Sequence, residues 1–342
     1  GNDLVRGVVL TDGLIGTFAP NIDPQLDANK CFLYHVIGGG TGDWDVPIGG
    51  MGAVSGALAH AARDAGATLV SDATVTAISD DKVVTFTRGA DTHSIRGRYV
   101  LVNASPQELE LLRGRELHTP PAEGAQVKVN MVLSRLPRLK DSSLSPEAAF
   151  GGTFHINETW SQLDDAFQSA ESGVIPRLLP CEIYCHSLTD PSILSPELQE
   201  SGAHTLTVFG LHAPHRLTAT MGPDALRSAL QEAVVASLNS VLAEPLDEVL
   251  LLDGEGRPCI ETKTTADLED ALKLPGGNIF HGPLAWPFVE DDADLSTPEQ
   301  RWGVGTADHG ILLCGSGARR GGAVSGIAGH NAAMAVLESE GF

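Results

Sequence analysis

The last stretch of the chain, Gly310-Ile-Leu-Leu-Cys-Gly-Ser-Gly-Ala-Arg-Arg-Gly-Gly-Ala-Val-Ser-Gly-Ile-Ala-Gly-His-Asn-Ala-Ala-Met-Ala-Val-Leu337, leaves its backbone few options. Ile311 to Cys314 is an apolar run that reads as a buried strand, and a helical pattern follows from about Ser325 to Glu338. Between them Gly315, Gly317, Gly321, Gly322 and Gly326 remove side chains where backbone must approach something closely. Strand, glycine turn and helix together aim free N–H groups and the positive end of a helix dipole at one spot, which suits an electron-rich ligand. The same glycines also suit a plain tight connection packed by small residues, so the stretch needs support from elsewhere in the chain.

Composition removes several function classes. Asp and Glu number 44 against 22 Lys and Arg, a formal charge of −22 with no basic block. Such a surface repels phosphate backbones and anionic lipid, which argues against nucleic acid and against electrostatic membrane binding. There is no apolar run of the ~18 residues that a membrane span needs, and no basic segment followed by an apolar one at the start. The expectation is a soluble, cytoplasmic chain without an integral membrane segment. The five cysteines are odd in number and scattered, which fits a reducing compartment rather than a disulfide framework. Cys181-Glu-Ile-Tyr-Cys185-His186 has a faintly metal-like look but lacks a second ligand pair.

The 342 residues, 38 of them glycine, suffice for two domains or for one domain with a large insertion. Residues 4–37 read as short helices or strands between loops, and Gly38 to Trp44 as a flexible loop. Gly49 and Gly50 then open a helix on which Met51, Val54, Leu58, Ala61 and Ala65 recur at helical spacing, with Gly66 as its stop. A plain amphipathic helix and a second backbone approach to a ligand both fit that pattern. Segments at Ala67–Val70, Thr74–Ile78, Lys82–Arg88, Ser94–Gly97 and Tyr99–Asn103 predict a small antiparallel meander ending in a buried strand. Ser105 and Pro106 cap the next helix.

After a linker at Thr119–Gly124, strands are expected at Gln126–Leu133 and Thr205–Leu211, and helices at Trp160–Ser169 and Asp224–Leu242. His204, His212 and His215 surround a strand end, as ligands or, on the plainer reading, in a solvated loop. Leu274-Pro-Gly-Gly-Asn-Ile-Phe-His-Gly282 repeats the glycine theme, with a short apolar strand expected before His281. Serine-hydrolase chemistry is disfavoured, because Gly322-Ala-Val-Ser-Gly326 lacks the spacing of a nucleophile elbow.

Three stretches, Pro47-Ile-Gly-Gly-Met-Gly-Ala-Val-Ser-Gly-Ala-Leu58, Gly276-Gly-Asn-Ile-Phe-His-Gly282 and Cys314-Gly-Ser-Gly with Gly321-Gly-Ala-Val-Ser-Gly326, come in an order and spacing that resembles phytoene desaturase-like flavoproteins. Within that family the resemblance is to the branch called pyridine nucleotide-disulphide oxidoreductase domain-containing protein two, and it covers nearly the whole chain. It implies an α/β fold in which a glutathione-reductase-type FAD-binding domain, residues 1–124 and 271–342, is interrupted by a mixed α/β substrate domain at 125–270.

The resemblance further implies that Gly315, Gly317, Gly321, Gly322, Val324, Ser325 and Gly326 lie along the FAD, with Gly49, Gly50, Met51, His281 and Gly282 near its ring system or the substrate and Val75 at the adenine. The implied activity moves hydride between a carbon of an apolar small-molecule substrate and flavin N5, with His281 as the side chain beside the flavin. For animal relatives it implies mitochondrial association. Arg320 stands where such proteins usually have proline, and no strand, GxGxxG turn and helix for the adenosine half is present. The chain therefore reads as the larger, C-terminal part of a longer protein or as a truncated one. The competing expectation is a non-catalytic interaction module that binds no FAD.

Overall fold

The computed structural model describes residues 1–37, 46–319 and 326–342, and has the mixed helix and sheet content of an α/β protein. Helices α1 (Asp3–Thr11) and α2 (Asp27–Ile37) open the chain, so the short apolar runs of this region are helical. Asn2 caps α1 by accepting from the Val5 N–H. Helix α3 (Gly50–Asp64) follows, with Gly66 at φ +88° just past its end, as the sequence predicts. None of its residues is buried. Met51 and Leu58, on the apolar stripe, are 58% and 67% exposed.

Strands β1 (Thr74–Ile78), β2 (Val83–Arg88) and β3 (Asp91–Arg96) form the expected antiparallel meander. Ala67–Val70 contributes no strand to it, because no described segment pairs with it. Strand β4 (Val100–Val102) leaves the meander and pairs elsewhere. Helix α4 (Pro106–Leu112) starts as its sequence dictates: Ser105 accepts from the Glu108 N–H, and proline takes the first turn.

The middle of the chain is built on one antiparallel sheet. Its strands are β5 (Gln126–Leu133), β6 (Phe154–Ile156), β7 (Cys181–Tyr184), β8 (His204–Leu211) and β9 (Ile260–Lys263), in the order β6-β7-β8-β5-β9. Alternate residues Val127, Val129, Met131 and Leu133 of β5 point into the core. Short helices α5 (Pro146–Phe150), α7 (His186–Thr189), α8 (Pro196–Glu200) and α9 (Leu217–Met221) fill the connections, while α6 (Trp160–Glu171) carries a capping box between Thr159 and Gln162.

Helix α10 (Pro223–Val241) lays Leu226, Leu230, Val234 and Leu238 on the sheet. Each such side chain contributes about 1.5–3 kcal/mol by leaving water. Helix α11 (Thr265–Leu272) closes the unit.

The last segment returns to the first. After α12 (Pro298–Arg301), strand β10 (Ile311–Leu313) pairs in parallel with β4, Ile311 opposite Val100 and Leu313 opposite Val102. Helix α13 (Ile327–Ser339) packs Ala328, Ala332 and Ala335 against this pair, small residues that let a helix lie close on a strand. Residues separated by about 200 positions thus share one small core of Ile78, Val100, Val102, Leu109 and Ile311–Leu313. Among the described residues no helix is long and apolar enough to cross a membrane.

Candidate functional site

Strands β4 and β10 run side by side in the same direction, so their carboxyl ends open together. In open α/β sheets that is where ligands are bound. The Cys314 N–H donates to the Val102 carbonyl (2.8 Å) and fixes the register at the exit. Gly315, buried, comes next. A Cβ there would stand 1.9 Å from Asn103 Oδ1, so only glycine fits against the residue that ends β4. At Gly317 a Cβ would meet Pro106 Cδ at 2.5 Å and the Cβ of His281 at 3.4 Å. The final glycine turn therefore touches the start of α4 on one side and His281 on the other.

His281 sits at φ +64°, in the left-handed region where a non-glycine residue is held only by its surroundings. Its N–H donates to the Asn278 carbonyl (3.0 Å), and the Phe280 N–H donates to Asn278 Oδ1 (2.8 Å). This is a turn rather than the short apolar strand expected there, because Asn278 takes the backbone donors that a ladder would need. The preceding glycines also have a local purpose. A Cβ on Gly276 would lie 2.7 Å from the Ala122 carbonyl oxygen, and one on Gly277 would lie 2.3 Å from that of Thr265. The half-buried His281 ring keeps Nδ1 away from water without a hydrogen-bond partner among the described residues, and burial pushes its pKa down, so it is a neutral imidazole at pH 7. Beside it a cleft of about 300 Å³ is lined by Gly16, Phe18, Ala122, Phe280, Gly282 and Leu284, among others.

Other residues singled out from the sequence stand apart. The Gly49 N–H donates to Asp190 Oδ2 (2.7 Å) in the loop after α7, and Gly50 faces open space at φ +70°. Met51 projects from the uncovered α3. Val75 lies on β1, opposite Phe86 and 39% exposed. Gly326, at φ +72°, precedes α13. Gly321, Gly322, Val324 and Ser325, like the Gly38–Trp44 loop, lie outside the described residues.

The expectation for His212 changes. His212 is not in a solvated loop: it is 1% exposed and packed edge-on to Phe18 and Phe167. Cys181 and Cys185 alternate with Ile183 into the core of the sheet, which leaves their sulfurs to packing rather than to a metal. Asn103 and Asp190, which hold two of the glycine turns, escape the sequence reading. The position of Asn103, directly after an apolar strand, is the signal that points to it.

No protein-family model matches the chain. It is 59% identical over 339 residues to proteins described as uncharacterized from Mycobacterium tuberculosis and Mycobacterium bovis, covering 98% of this chain and 63% of each relative. It is 30% identical over 361 residues to a mouse protein named pyridine nucleotide-disulfide oxidoreductase domain-containing protein 2, covering 97% of this chain and 58% of that protein. The chain thus spans about three-fifths of the length of the curated relatives it matches.

Proposed function

We propose that this chain is the larger, C-terminal part of an FAD-dependent oxidoreductase of the phytoene desaturase-like kind. The observation that carries the reading is the meeting of Gly315, Gly317 and His281 at the carboxyl ends of two parallel strands. The name of the mouse relative supports oxidoreductase chemistry. Three features support the fit: the close backbone packing at Gly315 and Gly317, an imidazole nitrogen shielded from water and without a partner among the described residues, and a helix that follows the glycine turn.

Bound FAD would supply hydride acceptance or delivery at N5. The chain's own residues position and protect. Gly315, Gly317 and Gly326, with Gly321, Gly322, Val324 and Ser325, would line the cofactor, while Gly49, Gly50 and Met51 would approach from α3 and Val75 would meet the adenine. His281, uncharged and packed against Gly317, would turn its shielded Nδ1 toward the cofactor, and the buried Phe280 would keep water from that side. The substrate class, an apolar small molecule, rests on the resemblance. Residues 1–124 and 271–342 would form the cofactor domain and 125–270 the substrate domain.

The second reading, a non-catalytic interaction module, draws on the uncovered apolar stripe of α3. Absorbance separates the two. The chain, and a version prolonged upstream to the length of its relatives, are incubated with FAD and desalted. The proposal expects a flavin band near ~450 nm in the longer protein. It expects the band to be lost on Gly317→Val, whose side chain enters the Pro106 and His281 contact. A longer protein that folds and stays colourless sinks the oxidoreductase reading.

A further inference from the structure

Beneath α1, where it crosses the edge of the five-stranded sheet, two carboxylates and an imidazole are buried together. His155 comes from β6, Glu158 from the turn before α6, and Glu182 from β7. Glu158 and Glu182 are 2% and 1% exposed. Donor atoms of the three residues all lie within 4.8 Å of one another.

Each carboxylate has one oxygen engaged and one left over. Glu158 Oε2 is hydrogen-bonded to His155 Nδ1 (2.5 Å), and Glu182 Oε2 accepts from the Tyr184 hydroxyl (2.9 Å). Glu158 Oε1 and Glu182 Oε1 are shielded from water and have no hydrogen-bond partner among the described residues. The Thr11 hydroxyl, 2.7 Å from the Val8 carbonyl, is close enough to Glu182 to lower its carboxyl somewhat, but burial outweighs it and the net push is upward. Two dry carboxylates with unpaired oxygens, and Asp12 adding a further like charge, are an expensive arrangement unless a cation compensates them.

We propose that His155, Glu158 and Glu182 bind one divalent first-row transition-metal ion between β6, β7 and α1. One imidazole with two carboxylates and no thiolate is a donor set suited to Mn²⁺, Fe²⁺ or Zn²⁺. Metal–ligand distances of about 2.0–2.2 Å put neighbouring donors roughly 3–4 Å apart, so side-chain rotation alone closes the site. Binding needs the ionised carboxylates, so protons compete with the ion for the site. The bound ion ties the turn before α6 to β6 and β7, and α1 packs over that turn. Gly7 already lies so close that a Cβ there would stand 1.9 Å from the Glu158 carbonyl oxygen.

The test uses the chain stripped with chelator and titrated with Zn²⁺ or Mn²⁺ alone near pH 7.5, followed by calorimetry and by thermal melting. One equivalent is expected to bind with a rise in Tm. Glu158→Gln and Glu182→Gln, which keep shape and hydrogen-bonding capacity, are expected to weaken binding at least ~10–100-fold, the loss that removal of even an outer-shell partner brings. Circular dichroism establishes that each variant is folded. Two results overturn the site: uptake of no ion by the parent chain, or uptake at equal affinity by both variants, which would place the ion on the acidic surface. A Glu158→Gln chain that melts above the parent while neither responds to metal overturns it too, because the carboxylates then simply share protons.

Discussion

His212 carries no solvation and no hydrogen bond on either ring nitrogen, and burial pushes its pKa down to about 3. Its backbone, at φ +55°, turns the chain at the end of β8 and delivers the ring edge-on against the Phe18–Phe167 pair. The folded protein therefore holds the imidazole neutral, while the unfolded chain takes a proton below about pH 6.5. Between those two values the unfolded state binds more protons, so stability falls as pH drops from ~6.5 toward ~3 and is independent of this group above that window. Urea unfolding at pH 7 and pH 4.5 checks the sign. His212→Asn, which accepts the left-handed backbone and does not titrate, is expected to lose packing equally at both pH values but to be less acid-sensitive than the parent by about 2–3 kcal/mol. An equal difference from the parent at both pH values would show that His212 does not drive acid sensitivity.

At the scale of elements, the sequence announces those in which one face meets core and the other meets water. Strand β5 has the expected limits and α10 lies within a residue of them, because alternation in the one and fourfold spacing of leucines in the other record that boundary directly. The turn at Asn278 is hidden because an apolar pair, Ile279-Phe280, resembles a strand when the competing side-chain acceptor is ignored. The parallel partnership of β4 and β10 joins positions far apart in sequence, and periodicity holds no information on pairing. The Glu182 cluster is hidden for the same reason, although a glutamate inside an apolar run was its visible trace.

An ion cluster reinforces that distant pairing. Asp308 Oδ1, just before β10, accepts from Arg113 (2.8 Å) and Arg115 (2.6 Å), and these hydrogen bonds, Arg115's foremost, hold its carboxyl below the usual range. Arg113, with 2% of its side chain exposed, also donates to the Ile78 carbonyl at the end of β1 (2.9 Å). Asp308→Asn removes one of the two carboxylates on the buried Arg113, which keeps Asp80 (2.5 Å) as its partner, and is expected to cost about 1.5–3 kcal/mol in urea unfolding. Arg115→Ala, which removes the more exposed partner, is expected to cost under ~1 kcal/mol. Equal costs would mean that burial of Arg113 does not set the energy.

Over the whole molecule, one apolar face that no described residue buries lies on α3. Met51, Val54 and Leu58 form the stripe that periodicity marks as core-facing, yet they are 58%, 40% and 67% exposed. Periodicity says which face is apolar and nothing about what covers it. If the chain works within a longer polypeptide, as proposed, that stripe is where an upstream segment would pack. Leu58→Lys then has different consequences in two contexts. In the chain as given the substitution touches solvent and is expected to change stability by no more than the ~0.5 kcal/mol usual for surface positions. In the version prolonged upstream it places a charge in a buried contact, and a loss of about 2 kcal/mol or more is expected together with weaker flavin retention. A substitution silent in both contexts, with flavin still bound in the longer protein, would leave the stripe to a separate partner. A loss already present in the chain as given would show that α3 is packed in solution, and the need for an upstream cover would disappear.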